Sequence, residues 1–215
     1  RHFHEIDQPA DPEVTAALEH VARTLQLEGA EIRDIHLPTL GEFAAVNRVI
    51  LQSEAWAIHG QWLRERPGDY GQLARRRLMA GAFFAAGDYV QAQRRRLEMI
   101  AAFEEALRDV DVLLCASSMD PACRIDSPPD IDRTYPRQAR TPFNVTGHPA
   151  LAMMAGVSVS GLPLSVQFVG RNFAGTDATR RSIARCHFAS SSGSSTGAAR
   201  SASGCSCRRM KPMSA

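Results

Sequence analysis

"TPFNVTGHPALAMMAGVSVSGLPLSVQFVGR", residues 141–171, is the stretch whose reading decides the fold. Within it "ALAMMAGV" is a continuous apolar run, Ser160-Gly161 is a turn signal, and Leu164, Val166 and Phe168 alternate with Ser165 and Gln167. A run, a turn and an alternation predict two neighbouring central strands. The segment has the look of an enzyme core, yet it holds no obvious nucleophile, base or metal ligand.

Outward from this block, the upstream sequence alternates helix and strand signals. Asp11 is a good N-cap and Pro12 suits the first helical position; Val14, Leu18, Val21 and Leu25 then recur at helical spacing up to Gly29. "AEIRDIHLP", residues 30–38, reads as a short strand ended by Pro38, and "HFHEI" near the N-terminus as another. Apolar residues at intervals of three and four make the chain helical from Leu40 to about Trp62 and from about Tyr70 to Val110, with breaks near "RPGDYG" and "AAGDY". "VDVLLC", Val110 to Cys115, suits a buried strand, and a Pro- and Asp-rich loop follows from Ala116 to about Arg140.

After about Ala174 the character changes. "ASSSGSSTGAARSASGCSCRRMKPMSA" has almost no periodic apolar residues, so the expected organisation is one domain over residues 1–174 and a disordered low-complexity tail over 175–215.

At 215 residues, 44% hydrophobic and 22% charged, the composition is that of an ordinary globular domain, and a net charge of +2 is too small for a nucleic-acid or membrane-surface footprint. No apolar run reaches the roughly 20 residues that span a bilayer, and the N-terminus lacks the apolar core of a signal peptide, so a cytoplasmic protein is expected. Cys115, Cys123, Cys186, Cys205 and Cys207 are odd in number and irregularly spaced, which indicates neither a disulfide framework nor a zinc site. His2, His4 and Glu5 form an H-x-H fragment without a third ligand; neither metal nor cofactor is expected. Lys211 is the single lysine, and the chain opens on Arg1.

The block "RTPFNVTGHPALAMMAGVSVSGLPLSVQFVGRNF" resembles the amidase signature family, with its T-x-P-F-N-x-T-G-x-P-A and G-L-P-x-x-x-Q-x-V-G-R elements. The likeness runs upstream through "SEAWAIHGQWLRERPGDYG", "RRRLMAG", "GDYVQAQRRR" and "DVDVLLC" in the family's order, and covers about residues 1–174. It implies a partial α/β amidase-signature fold, a mixed sheet flanked by helices, and hydrolysis of a small carboxamide at its C–N bond. The family's Ser-Ser-Lys machinery and oxyanion loop precede the segment that "RHFHE" resembles. By this resemblance the chain carries no catalytic residue of its own and is expected to be inactive alone. The partner it implies is a small-molecule amide, with self-association or a separate N-terminal half completing the enzyme. A partner-binding half of a split amidase or amidotransferase subunit is the alternative.

The resemblance places Arg77 of "RRRLMAG" near the substrate, and Thr141, Phe143 and Asn144 on the pocket border, where a turn would present backbone to the ligand. For these three a purely structural role competes, with Phe143 as core filling. Three departures from the family pattern stand out: Met153-Met154 before Ala155-Gly156, "YPRQAR" in place of an acidic residue upstream of the T-x-P-F-N element, and "GTDATRRSIARCHFASSS" where a closing helix is usual. The second favours a general amidase over a glutamine-specific, tRNA-linked one. The third suggests a shifted reading frame beyond Ala174. Ser117-Ser118 and "SSSGSSTGAA" read as loop and tail serines rather than nucleophiles.

Overall fold

A computed structural model describes residues 9–172, so the expectations for "HFHEI", the H-x-H fragment and the tail lie outside the described residues. Asp11 does cap the first helix, α1 (Pro12–Leu27): its Oδ1 accepts the Glu13 N–H at 2.9 Å, leaving Val14, Ala17, Leu18 and Ala22 on the buried face. The next segment differs from expectation. Residues 30–39 form no strand, because among the described residues no segment pairs with them in a ladder; Leu37 is buried in the core and Ile35 packs against it.

Thr39 and Glu42 close a reciprocal capping box on α2 (Leu40–Glu65): the Glu42 N–H donates to Thr39 Oγ1 at 3.2 Å and the Thr39 N–H to Glu42 Oε2 at 3.0 Å. After a single turn at Pro67–Asp69 come α3 (Gln72–Met79), a second tight turn at Ala80–Phe83, and α4 (Ala86–Ala106). Gly81 lets that tight turn press on α2. A Cβ placed there would stand 2.0 Å from the Gln52 carbonyl oxygen, so only glycine permits this approach.

β1 (Leu113–Ala116) follows, fully buried. The region expected as unstructured loop contains α5 (Pro128–Thr134), which starts on two prolines that tolerate a helix's first turn, and then a tight turn at Tyr135–Arg137. The T-x-P-F-N element is likewise a helix rather than a turn, α6 (Thr141–Thr146), with Pro142 in its first turn and Gly147 at φ +79° as its left-handed stop. β2 (Ala150–Val157) and β3 (Pro163–Val169) complete the described chain.

The three strands form an antiparallel sheet in the order β1-β3-β2, with Leu113 opposite Val169 and Ala150 opposite the same residue from the other side. β3 is therefore the central strand, and β2 is an outer one among the described residues. One face packs Leu114, Val166 and Phe168 against Leu18 and Ala22 of α1. The opposite face joins Leu113, Cys115 and Val169 to Met99, Phe103 and Phe143. Each such large side chain contributes about 1.5–3 kcal/mol by leaving water. β2 is unlike the others: Leu151, Met154 and Val157 are exposed.

Candidate functional site

The helices leave a cavity of about 1160 Å³ between α2, α3, α5 and α6. Its α2 wall is Ala44, Asn47, Arg48, Leu51, Gln52 and Ala55, a stripe at helical spacing. Arg76, Arg77 and Leu78 of α3 line it, as do Asp132 of α5 and Tyr135. Gln138, Arg140, Thr141 and Asn144 supply the remaining polar rim.

Three of the four residues expected from sequence thus come together. Arg77, half-buried in the last turn of α3, lays its guanidinium 3.6 Å from the centroid of the Tyr135 ring, a cation–π contact that fixes its position. Thr141 and Asn144 sit on the α6 wall. Phe143 does not line the cavity. Its ring is 4% exposed and meets Phe103 edge-on at 5.7 Å, which is the core-filling role. It holds α6 from behind.

The wall is fixed by buried polar contacts. Gln167, 2% exposed on the central strand, donates both side-chain amide hydrogens, to Ala116 O at 2.9 Å and to Ala139 O at 3.0 Å. The second bond ties the sheet to the residue between Gln138 and Arg140. Arg96 of α4 donates from Nε to Val145 O at 2.6 Å, a cation placed on the carbonyl end of α6. Arg137 and Arg133 share the Asp120 carboxylate at 2.6 and 3.2 Å, and Arg137 also donates to Pro9 O, which clasps the entering chain to the loop before α5.

Behind α6, His148 is buried. Its Nδ1 pairs with Thr146 Oγ1 at 2.8 Å, and that hydroxyl donates to Pro142 O at 3.0 Å. Burial pushes the imidazole pKa below its ordinary value, and the nearby Glu104 carboxylate opposes the shift. Cys115 is equally enclosed, its thiol pushed up to about 12 by burial, so it is an unreactive core residue. Among the described residues, no three His, Cys, Asp or Glu side chains gather as a metal site, and no helix is long and apolar enough to cross a membrane.

Arginines and neutral hydrogen-bonding groups dominate the cavity's polar lining, and among the described residues Glu54 and Asp132 are its two carboxylates and no serine, cysteine, histidine or lysine lines it. Such a lining can hold and orient a small polar molecule. It does not pair a nucleophile with a base. Ser117 and Ser118, half-buried after β1, are not part of it; the Ser118 hydroxyl accepts the Asp120 N–H at 3.4 Å. Sequence reasoning missed the α2 stripe and Tyr135. The stripe's spacing was visible, but it is also the spacing of a core face.

The model of the family described as "Amidase" matches residues 2–177. Among curated proteins, the chain is 32% identical over 168 residues to the putative amidase AmiD of Mycobacterium tuberculosis, covering 76% of this chain and 35% of that protein. It is 35% identical over 160 residues to an amidase of Pseudomonas putida, covering 71% of this chain and 34% of that one. A crystal structure of an amidase superposes with a TM-score of 0.71 at 26% identity, over 83% of this chain and 42% of the other. The chain spans about a third of the length of these two curated relatives.

Proposed function

The chain belongs to the amidase family, and from that premise we propose that it forms the substrate-holding wall of an amide hydrolase acting on a small carboxamide. The observation that carries this reading is the convergence of Arg77, Thr141 and Asn144, residues 64 and 67 positions apart along the chain if counted from Arg77, on one cavity. The wall binds and orients the amide; the attacking serine and its lysine base come from elsewhere. The only lysine, Lys211, lies outside the described residues and beyond the last residue matched by the family model.

A second reading is favoured by one feature, the apolar strand β2, which is an uncovered edge among the described residues: the chain is a partner-binding half that completes a split amidase. The two readings share a test. The purified chain is assayed on simple carboxamides alone and after mixing with a chain that carries the family's serine and lysine machinery. No turnover alone and turnover on mixing supports both. Turnover by the isolated chain that Lys211→Ala abolishes overturns the wall-only assignment.

A further inference from the structure

Charge is not spread evenly over the cavity. Arg48, Arg76, Arg77, Arg96 and Arg140 line it against the carboxylates of Glu54 and Asp132, a formal surplus of three positive charges. The whole chain carries only +2, so the positive charge is concentrated here rather than being a general property of the surface.

The arginines differ in how far they are already engaged. Arg76 pairs with Asp132 at 3.5 Å, Arg77 stacks on Tyr135, and Arg96 is committed to Val145 O. Glu54 accepts the Tyr89 hydroxyl at 3.0 Å. Arg140 bonds only a neutral amide, that of Gln138, and Arg48 meets no acceptor among the described residues. Both lie beside groups that suit an amide: Arg48 follows Asn47 on α2, and Arg140 precedes Thr141, the first residue of α6. A cleft lined by one sign of charge between low-dielectric walls concentrates ligands of the opposite sign, and a guanidinium offers a carboxylate two parallel hydrogen bonds.

We propose that this cavity selects amides that also bear a carboxylate, with Arg48 and Arg140 as the specificity determinants that bind the acid group. The proposal rests on the amide-holding reading of the cavity and deepens it by naming the substrate class. Neutral carboxamides of the same size are the disfavoured competitors, because they leave the positive surplus uncompensated.

The test uses the full chain and two ligands of matched shape in calorimetric titration: succinamate, and 4-oxopentanamide, in which a methyl group replaces one carboxylate oxygen. Succinamate is expected to bind at least about tenfold more tightly, in line with a hydrogen bond to a charged partner, and its advantage shrinks with added salt. Arg48→Gln and Arg140→Gln each remove most of that preference while the affinity for 4-oxopentanamide stays the same, which also reports that the variant is folded. Arg94→Gln, on the exposed face of α4 outside the cavity, leaves the preference intact. Equal binding of the two ligands by the unaltered chain overturns the proposal and leaves the amide-holding reading standing. Binding of neither ligand overturns both. A preference that falls equally in Arg94→Gln assigns it to overall charge and overturns the role of Arg48 and Arg140.

Discussion

The Nε2 atom of His148 lies 3.2 Å from the Glu104 carboxylate, and the His148 side chain is wholly shielded from solvent. Burial depresses the imidazole pKa in the folded chain, and Glu104 pulls it partway back. The unfolded chain therefore takes up the proton first. Stability is fully present above the ordinary imidazole value of 6.5 and declines as the pH falls below it. Glu104→Gln removes the opposing attraction and is expected to make the acid loss steeper, and His148→Gln to flatten it. Thermal melts from pH 7.5 to pH 5 check this; parallel curves for all three proteins refute it.

Gln167→Leu leaves the carbonyls of Ala116 and Ala139 buried without donors. The expected cost is about 1–3 kcal/mol, read from the denaturant midpoint. Because Ala139 lies between two cavity residues, amide binding is expected to weaken more in this variant than in Leu18→Ala, which opens a void on the far side of the sheet. Equal weakening in the two variants would assign Gln167 to general stability alone.

Gly81→Ala forces a methyl group into the Gln52 carbonyl, and the turn must move off α2. Overpacking of this kind costs about 1–3 kcal/mol. The displaced turn carries α3 with it, so Arg77 shifts relative to Tyr135. A chain with unchanged midpoint and unchanged amide affinity would show that α2 yields without consequence.

Met154→Lys places a charge on the exposed outer strand, where natural edges carry such charges against pairing. Light scattering and hydrophobic-dye binding of the purified chain are both expected to fall. If the unaltered chain is already monodisperse and binds no dye, the exposed edge is harmless and this expectation fails.

Much of the fold is legible in local chemistry. Asp11 followed by Pro12 announces α1, and the Leu164–Phe168 alternation announces a strand, although its polar member Gln167 is buried as well. What the sequence cannot display is the neighbour. Ile32, Ile35 and Leu37 read as a strand, but a strand exists only against a ladder partner, and among the described residues none lies alongside residues 30–39. The continuous apolar run of β2 reads as central because burial usually demands such a run; here Leu151, Met154 and Val157 face outward. Two short helices were missed although their signals were present, Ser127 before two prolines for α5 and Thr141-Pro142 with Gly147 for α6. Along the cavity wall, Arg77, Thr141 and Asn144 were legible through their likeness to a family. Arg48 was not, since the spacing that turns a side chain into a cavity is the same as the spacing that turns it into a core.

The left-handed turn at Gly147 has a consequence for how such a protein can change over time. Only Gly147, His148 and Pro149 separate the helix that walls the cavity from β2, an outer strand among the described residues. An insertion here would slide the pairing edge and swing the ligand wall in one event, so the two surfaces are inherited as a single unit. Diversity in what the cavity accepts must therefore enter from α2, where side chains can be exchanged one at a time without touching the strand.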